Sequence, residues 1–79
     1  MITVLRTQGL RVVIFTNDHE PAHVHVFGDG EAKINLVGRD DAPELVRAQA
    51  MTRAEIRRAM AIVVEHRDAL LARWRDIHG

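Results

Sequence analysis

The sequence predicts an α+β domain: a small antiparallel sheet of four to five strands, built from hairpins, packed against a C-terminal amphipathic helix or two-helix segment. Three observations carry this. Up to about residue 48 the chain is a series of short β-branched or alternating segments separated by turn residues. Thr52-Arg53-Ala54-Glu55 then matches a helix capping box. Beyond it the apolar residues recur at steps of three and four. Strands followed by helix argue for a sheet covered on one face. The expectation is one domain over residues 1–79, strands at about 2–48 and helical structure at 52–78.

Thr3 to Arg6 is a short β-branched run, Gln8-Gly9 a turn, and Leu10 to Thr16 a second run of strand formers, so the two read as a hairpin. Asn17-Asp18-His19-Glu20-Pro21 is a polar break ending in proline. His23-Val24-His25-Val26-Phe27 alternates strictly, Gly28-Asp29-Gly30 is a tight turn, and Glu31 to Val37 alternates again with Ala32, Ile34 and Leu36 on one face. Gly38 to Pro43 is a polar turn, and Glu44 to Ala48 can form a short fifth strand. The helical stripe runs Ile56, Met60, Val63, Leu70, Trp74, Ile77. Arg67 falls on the same stripe, which leaves open one long helix or two helices meeting near Glu65-His66.

At 79 residues a domain buries only roughly 60% of its unfolded surface and is marginally stable. Small domains usually add a disulfide, a metal or a partner chain. The absence of cysteine excludes a disulfide and thiolate ligation, leaving a metal held by histidine and carboxylate, or oligomerisation. No cofactor is required by any motif; zinc or another divalent metal is the one the composition admits. No stretch reaches the ~20 apolar residues of a membrane span, and Met-Ile-Thr-Val-Leu-Arg is not the start of a signal peptide. A cytoplasmic location and no membrane partner are expected.

Net charge is zero, but unevenly distributed. Residues 17–44 carry seven acids against Lys33 and Arg39, whereas residues 47–79 carry seven arginines against Glu55, Glu65, Asp68 and Asp76. Ten of the eleven basic residues are arginine. A high-GC genome accounts for that as readily as selection for bidentate contacts with phosphate or carboxylate.

Chemistry concentrates in His19-Glu20-Pro21-Ala22-His23-Val24-His25, which holds three of the five histidines. Its first five residues match His-Glu-x-x-His, the zinc-protease pattern, but that pattern needs a helix. Pro21 lies inside it and pushes Glu20 toward extended backbone. As a strand, the segment points His23 and His25 to one face, where they can converge on a ligand, metal or anion, with His19 folding back as a third. Three histidines with an open fourth position suit zinc. Without metal, paired histidines beside arginines can serve as acid and base in phosphodiester cleavage, an arginine stabilising the transition state. The plain alternative is a solvated histidine face opposite a buried Val24/Val26 face.

The helical arginines are read the same two ways. Arg53, Arg57, Arg58, Arg67, Arg73 and Arg75 form either a solvated face or a phosphate footprint. Arg67, on the apolar stripe, and neighbouring His66 can reach inward to a sheet carboxylate or to the histidine face.

Nearly the whole chain resembles a family of small bacterial proteins, domain of unknown function family 4160. The resemblance is carried by Thr3-Val4-Leu5-Arg6, by His19-Glu20-Pro21-Ala22-His23-Val24-His25-Val26, by Glu55-Ile56-Arg57-Arg58, and by Glu65-His66-Arg67-Asp68-Ala69-Leu70-Leu71 with Trp74. The family usually reads Glu-His-x-Pro-Pro-His-x-His-Val. Here Asp18 precedes His19, Glu20 is the variable residue, and Ala22 replaces the second proline. The resemblance implies a component of a toxin–antitoxin module encoded beside a second small protein; together with the histidine and arginine types it suggests a toxin-like member acting on RNA, with a cognate small antitoxin-like protein as partner.

Three functional expectations follow. The first is that toxin-like enzyme, with His19, His23, His25 and His66 as catalytic residues and Arg57, Arg58 and Arg67 binding phosphate. The second is a non-catalytic interaction module that pairs through a sheet edge or the Leu70/Trp74 face and forms a homo-oligomer. The third is a metal-binding domain using His19, His23 and His25.

Overall fold

The structure is a computed structural model describing residues 1–79. The strands are β1 (Ile2–Thr7), β2 (Leu10–Ile14), β3 (His23–Phe27), β4 (Glu31–Asn35) and β5 (Glu44–Gln49), followed by the single helix α1 (Arg53–His78). A 3-10 turn, Arg39–Asp41, joins β4 to β5. The five strands form one sheet in the order β1-β2-β3-β4-β5, each pair antiparallel, so the α+β expectation holds and the optional fifth strand is present.

Register explains how each face is used. Leu5, Val12, Val26, Ala32 and Ala48 line up across all five strands, as do Val24, Ile34 and Leu45 on the last three. These rows face α1. The other face carries the rows Arg6–Arg11–Phe27–Glu31–Gln49, Thr3–Val13–His25–Lys33–Arg47 and His23–Asn35–Glu44. The core is Val12, Ile14, Val24, Val26, Ile34 and Leu36 against Ala59, Ile62, Val63, Leu70 and Trp74, all buried. Each such Val, Leu or Ile contributes about 1.5–3 kcal/mol by leaving water.

Of the two helical alternatives, the single continuous helix of 26 residues is the one formed. Arg67 does not break it. The side chain runs outward along the stem, is 28% exposed, and its Nη1 donates to the carbonyl oxygen of Asp41 at 3.0 Å. It thereby fastens the β4–β5 connection, where Asp40 and Asp41 hold positive φ angles of 59°.

The helix starts where the capping box places it. Thr52 Oγ1 accepts the Glu55 N–H at 3.1 Å, and Glu55 Oε1 accepts the Thr52 N–H at 3.2 Å. Glu55 also does something the box does not require: its Oε2 accepts the N–H of Asp29 at 3.1 Å. The buried carboxylate thus ties the helix N-terminus to the β3–β4 turn. The backbone N–H groups of Asp29 and Thr52 hold its pKa below the ordinary glutamate value. From there α1 runs back along the sheet to the other end of β3. No helix is long and apolar enough to cross a membrane.

Candidate metal centre

At the far end of α1 the β2–β3 connection, residues 15–22, folds over the sheet face opposite the helix. The N–H of Asp18 donates to the carbonyl of Phe15 at 3.2 Å, closing a turn, and the Glu20–Pro21 bond is cis. The loop covers the start of β3. His23 and His25 stand on this face, as the period-two spacing predicts, with ring centroids 5.2 Å apart. They are not solvated: His23 is 4% and His25 7% exposed.

The third group at this place is Asp18. Its Oδ2 lies 3.0 Å from His23 Nε2 and 3.4 Å from His25 Nε2. One ligand atom from each of the three residues fits within 4.8 Å of the others. Despite these distances, Asp18 Oδ2 and His25 Nε2 are buried atoms with no hydrogen-bond partner. The remaining ring nitrogens are engaged elsewhere. His23 Nδ1 is 2.8 Å from the carbonyl oxygen of Pro21, which can only accept, so the proton of the neutral ring sits on Nδ1. His25 Nδ1 is 2.9 Å from the carboxylate of Glu31, with the same consequence. In the neutral rings both Nε2 atoms present lone pairs toward a carboxylate oxygen. Two lone pairs and an anion converging in a site this buried repel one another unless a positive charge sits among them.

A metal ion would supply that charge, and the two Asp18–histidine spacings suit one. Ligands about 2.1 Å from a metal lie roughly 3.0 Å apart at right angles and roughly 3.4 Å apart at the tetrahedral angle. The backing is also the usual one for metal-bound histidine, whose second nitrogen donates to a carboxylate or backbone carbonyl, fixing tautomer and ring orientation. Two imidazoles and one carboxylate are a donor set for zinc, or for iron(II) when further positions stay open.

Aromatic rings enclose the site. Phe15 meets His25 edge to face at 4.6 Å, and Trp74 lies 5.0 Å from His23. His78 stacks on Trp74 at 3.7 Å, and its two ring nitrogens reach the carbonyl oxygens of Trp74 (3.0 Å) and Phe15 (3.1 Å). The end of α1 thus holds the loop that presents Asp18.

Of the residues singled out from sequence, the structure joins only His23 and His25. His19 is exposed and lies outside the ligand group. Residue 18, one position earlier, faces the histidines instead. His66 sits in a groove with Val4, Leu5, Leu70 and Arg73 between β1 and the helix, 3.7 Å from Glu65. Arg57 and Arg58 are exposed on α1, which covers the opposite face of the sheet, and Arg67 is spent on Asp41. Arg57, Arg58 and Arg67 are therefore not joined to the histidine cluster. The sequence did hold a signal for Asp18: it stands where the resembled motif usually has glutamate, a carboxylate in either case.

Comparison with known proteins gives one match. A family described as a domain of unknown function (DUF4160) matches residues 9–75. No curated protein and no solved structure matches.

Proposed function

The chain belongs to the DUF4160 family of unknown function, and from its geometry we propose that it is a divalent-metal-binding domain with Asp18, His23 and His25 as protein ligands. The observation that carries this reading is the buried carboxylate oxygen facing two imidazole lone pairs without a hydrogen bond. Glu31 and the Pro21 carbonyl would orient the rings from behind. The ion would link the β2–β3 loop to the sheet and serve as the staple that a cysteine-free domain of this size otherwise lacks. Three protein ligands leave at least one position for water or a ligand.

Elemental analysis of protein purified without a histidine tag tests this reading, together with a zinc titration followed by melting temperature. One equivalent of metal and a rise in melting temperature that Asp18→Ala removes are the expected results. A metal-free protein that zinc does not stabilise would rule the site out.

The finer reading implied by resemblance, a toxin-like partner of an antitoxin-like protein, remains a proposal about biological setting. It is tested by inducing the chain alone and following growth and messenger RNA. Burial of both rings speaks against His23 and His25 acting as free acid and base on a polymer, so the metal reading is preferred to metal-independent cleavage.

A further inference from the structure

The sheet face away from α1 carries a charge pattern that the fold does not use. Arg6 and Arg11 are direct cross-strand partners at the β1–β2 edge, and Lys33 and Arg47 are direct partners at the β4–β5 edge. Like charges placed directly opposite destabilise a sheet. Neither pair is relieved, because none of the four cations forms a salt bridge, whereas Glu31, the acid between them, is engaged by His25. A cavity of about 420 Å³ opens beside Arg6, Gly9 and Arg11. Between the two pairs lies half-buried Phe27, with the Arg11 guanidinium 5.5 Å from its ring centroid.

We infer that this face binds single-stranded nucleic acid, its phosphates on the Arg6/Arg11 and Lys33/Arg47 pairs and a base on Phe27. The separation of the pairs selects a polyanion. Their midpoints are three strand spacings apart across the sheet and two residues apart along it, about 16 Å in all, which one phosphate cannot bridge and a short phosphodiester chain can. An aromatic ring between cations is the arrangement that accepts unpaired bases, since stacking needs an open base face. A duplex hides its bases. The inference is independent of the metal reading, because none of these five residues is a ligand in it.

The test is fluorescence polarisation with labelled 12-nucleotide single-stranded RNA and DNA, a 12-base-pair duplex, and anionic phosphatidylglycerol vesicles. All are measured in chelator, so that metal occupancy does not enter. Saturable, salt-dependent binding of a single strand is expected. Arg6→Gln with Arg11→Gln, and Lys33→Gln with Arg47→Gln, should each lower the slope of log affinity against log salt by about 1.4, two phosphate contacts' worth. Phe27→Leu should weaken binding without changing that slope. Arg57→Gln with Arg58→Gln, on the other face, should change neither. RNA against DNA identifies which single strand is preferred. Absence of single-strand binding at low salt, equal or tighter binding of duplex or vesicles, or equal losses in the helical variant would each overturn the inference. Circular dichroism of each variant separates lost binding from lost folding.

Discussion

Asp18 Oδ2 lies 3.0 Å from His23 Nε2 and yet has no hydrogen-bond partner, while the other ring nitrogen of His23 is engaged by the carbonyl oxygen of Pro21. Most predictions about the loop and the sheet end follow from this opposition of an anion and a lone pair.

Zinc at a hundredfold excess over its dissociation constant should stabilise the wild type by about 2.7 kcal/mol. In a domain of this size that is a rise of roughly 10–20 °C in melting temperature. Asp18→Ala should show no rise, and His19→Ala, at an exposed position outside the ligand group, should keep it in full. Differential scanning fluorimetry with and without zinc reads both.

Glu31→Gln should keep the metal but hold it about 10–100-fold more weakly, the usual cost of losing the group that orients a ligand histidine. Isothermal titration checks this. Because Trp74 is the only tryptophan and lies 5.0 Å from His23, cobalt or nickel should also quench its fluorescence stoichiometrically.

Glu55 sets the acid limb of stability. Its pKa is lowered in the folded state by the N–H groups of Asp29 and Thr52. The folded state therefore favours the charged form: the contribution is complete above the ordinary value of 4.5 and is lost as pH falls through the lower folded value. Urea midpoints measured from pH 6 downward should fall through that window, and Glu55→Gln should be less stable at pH 6 with a flatter acid limb. A parallel pH dependence in the variant would show that Glu55 is not the group responsible.

Thr52→Ala should cost about 1 kcal/mol by removing the cap, or about 4–8 °C in melting temperature. Ile62→Ala, in the middle of the fully buried stripe, should cost about 2–5 kcal/mol. In a domain with marginal stability that is enough to populate the unfolded state at 37 °C, visible as loss of ellipticity. Ile62→Val should cost only about 0.5–1.5 kcal/mol and leave the protein folded.

Gly30→Ala should destabilise more than a surface substitution ordinarily does. A Cβ there would overlap the carbonyl oxygen of Gln49 and the backbone of Ala50, and a paired strand end has no room to yield. Thermal denaturation should show the drop, with Gly9→Ala as comparison: nothing crowds a Cβ at Gly9, whose difficulty is a φ of 76° alone.

Most of the fold was legible because its signals are local. Alternation at His23–Phe27 and Glu31–Asn35 needs only the strand period, and Thr52 with Glu55 needs only three residues of spacing. The continuity of α1 through Arg67 was not legible, since a stripe position occupied by arginine reads equally as a bend or as a long side chain reaching past the edge. What decided it, the carbonyl of Asp41, lies 26 residues away. The candidate site divides in the same manner. Period two put His23 and His25 together. The choice between residues 18 and 19 depended on how the loop turns back at Phe15, and spacing carries no information about that path. The placement of the arginines was not legible for a further reason: composition records how many cations a segment has, not which face of the sheet its helix covers.

His78 and Trp74 give the loop its hinge. Helix ends open at almost no free-energy cost compared with the core, and His78 in the last turn of α1 is what holds the carbonyl of Phe15 in place, while Trp74 against His23 belongs to the core. Exchange of an ion at Asp18 can therefore proceed by fraying of that single turn, with the sheet intact. Under the metal reading, loading and release would be kinetically separated from global unfolding, and amide exchange near the C-terminus should slow on loading before any change is seen in β2, β3 or β4.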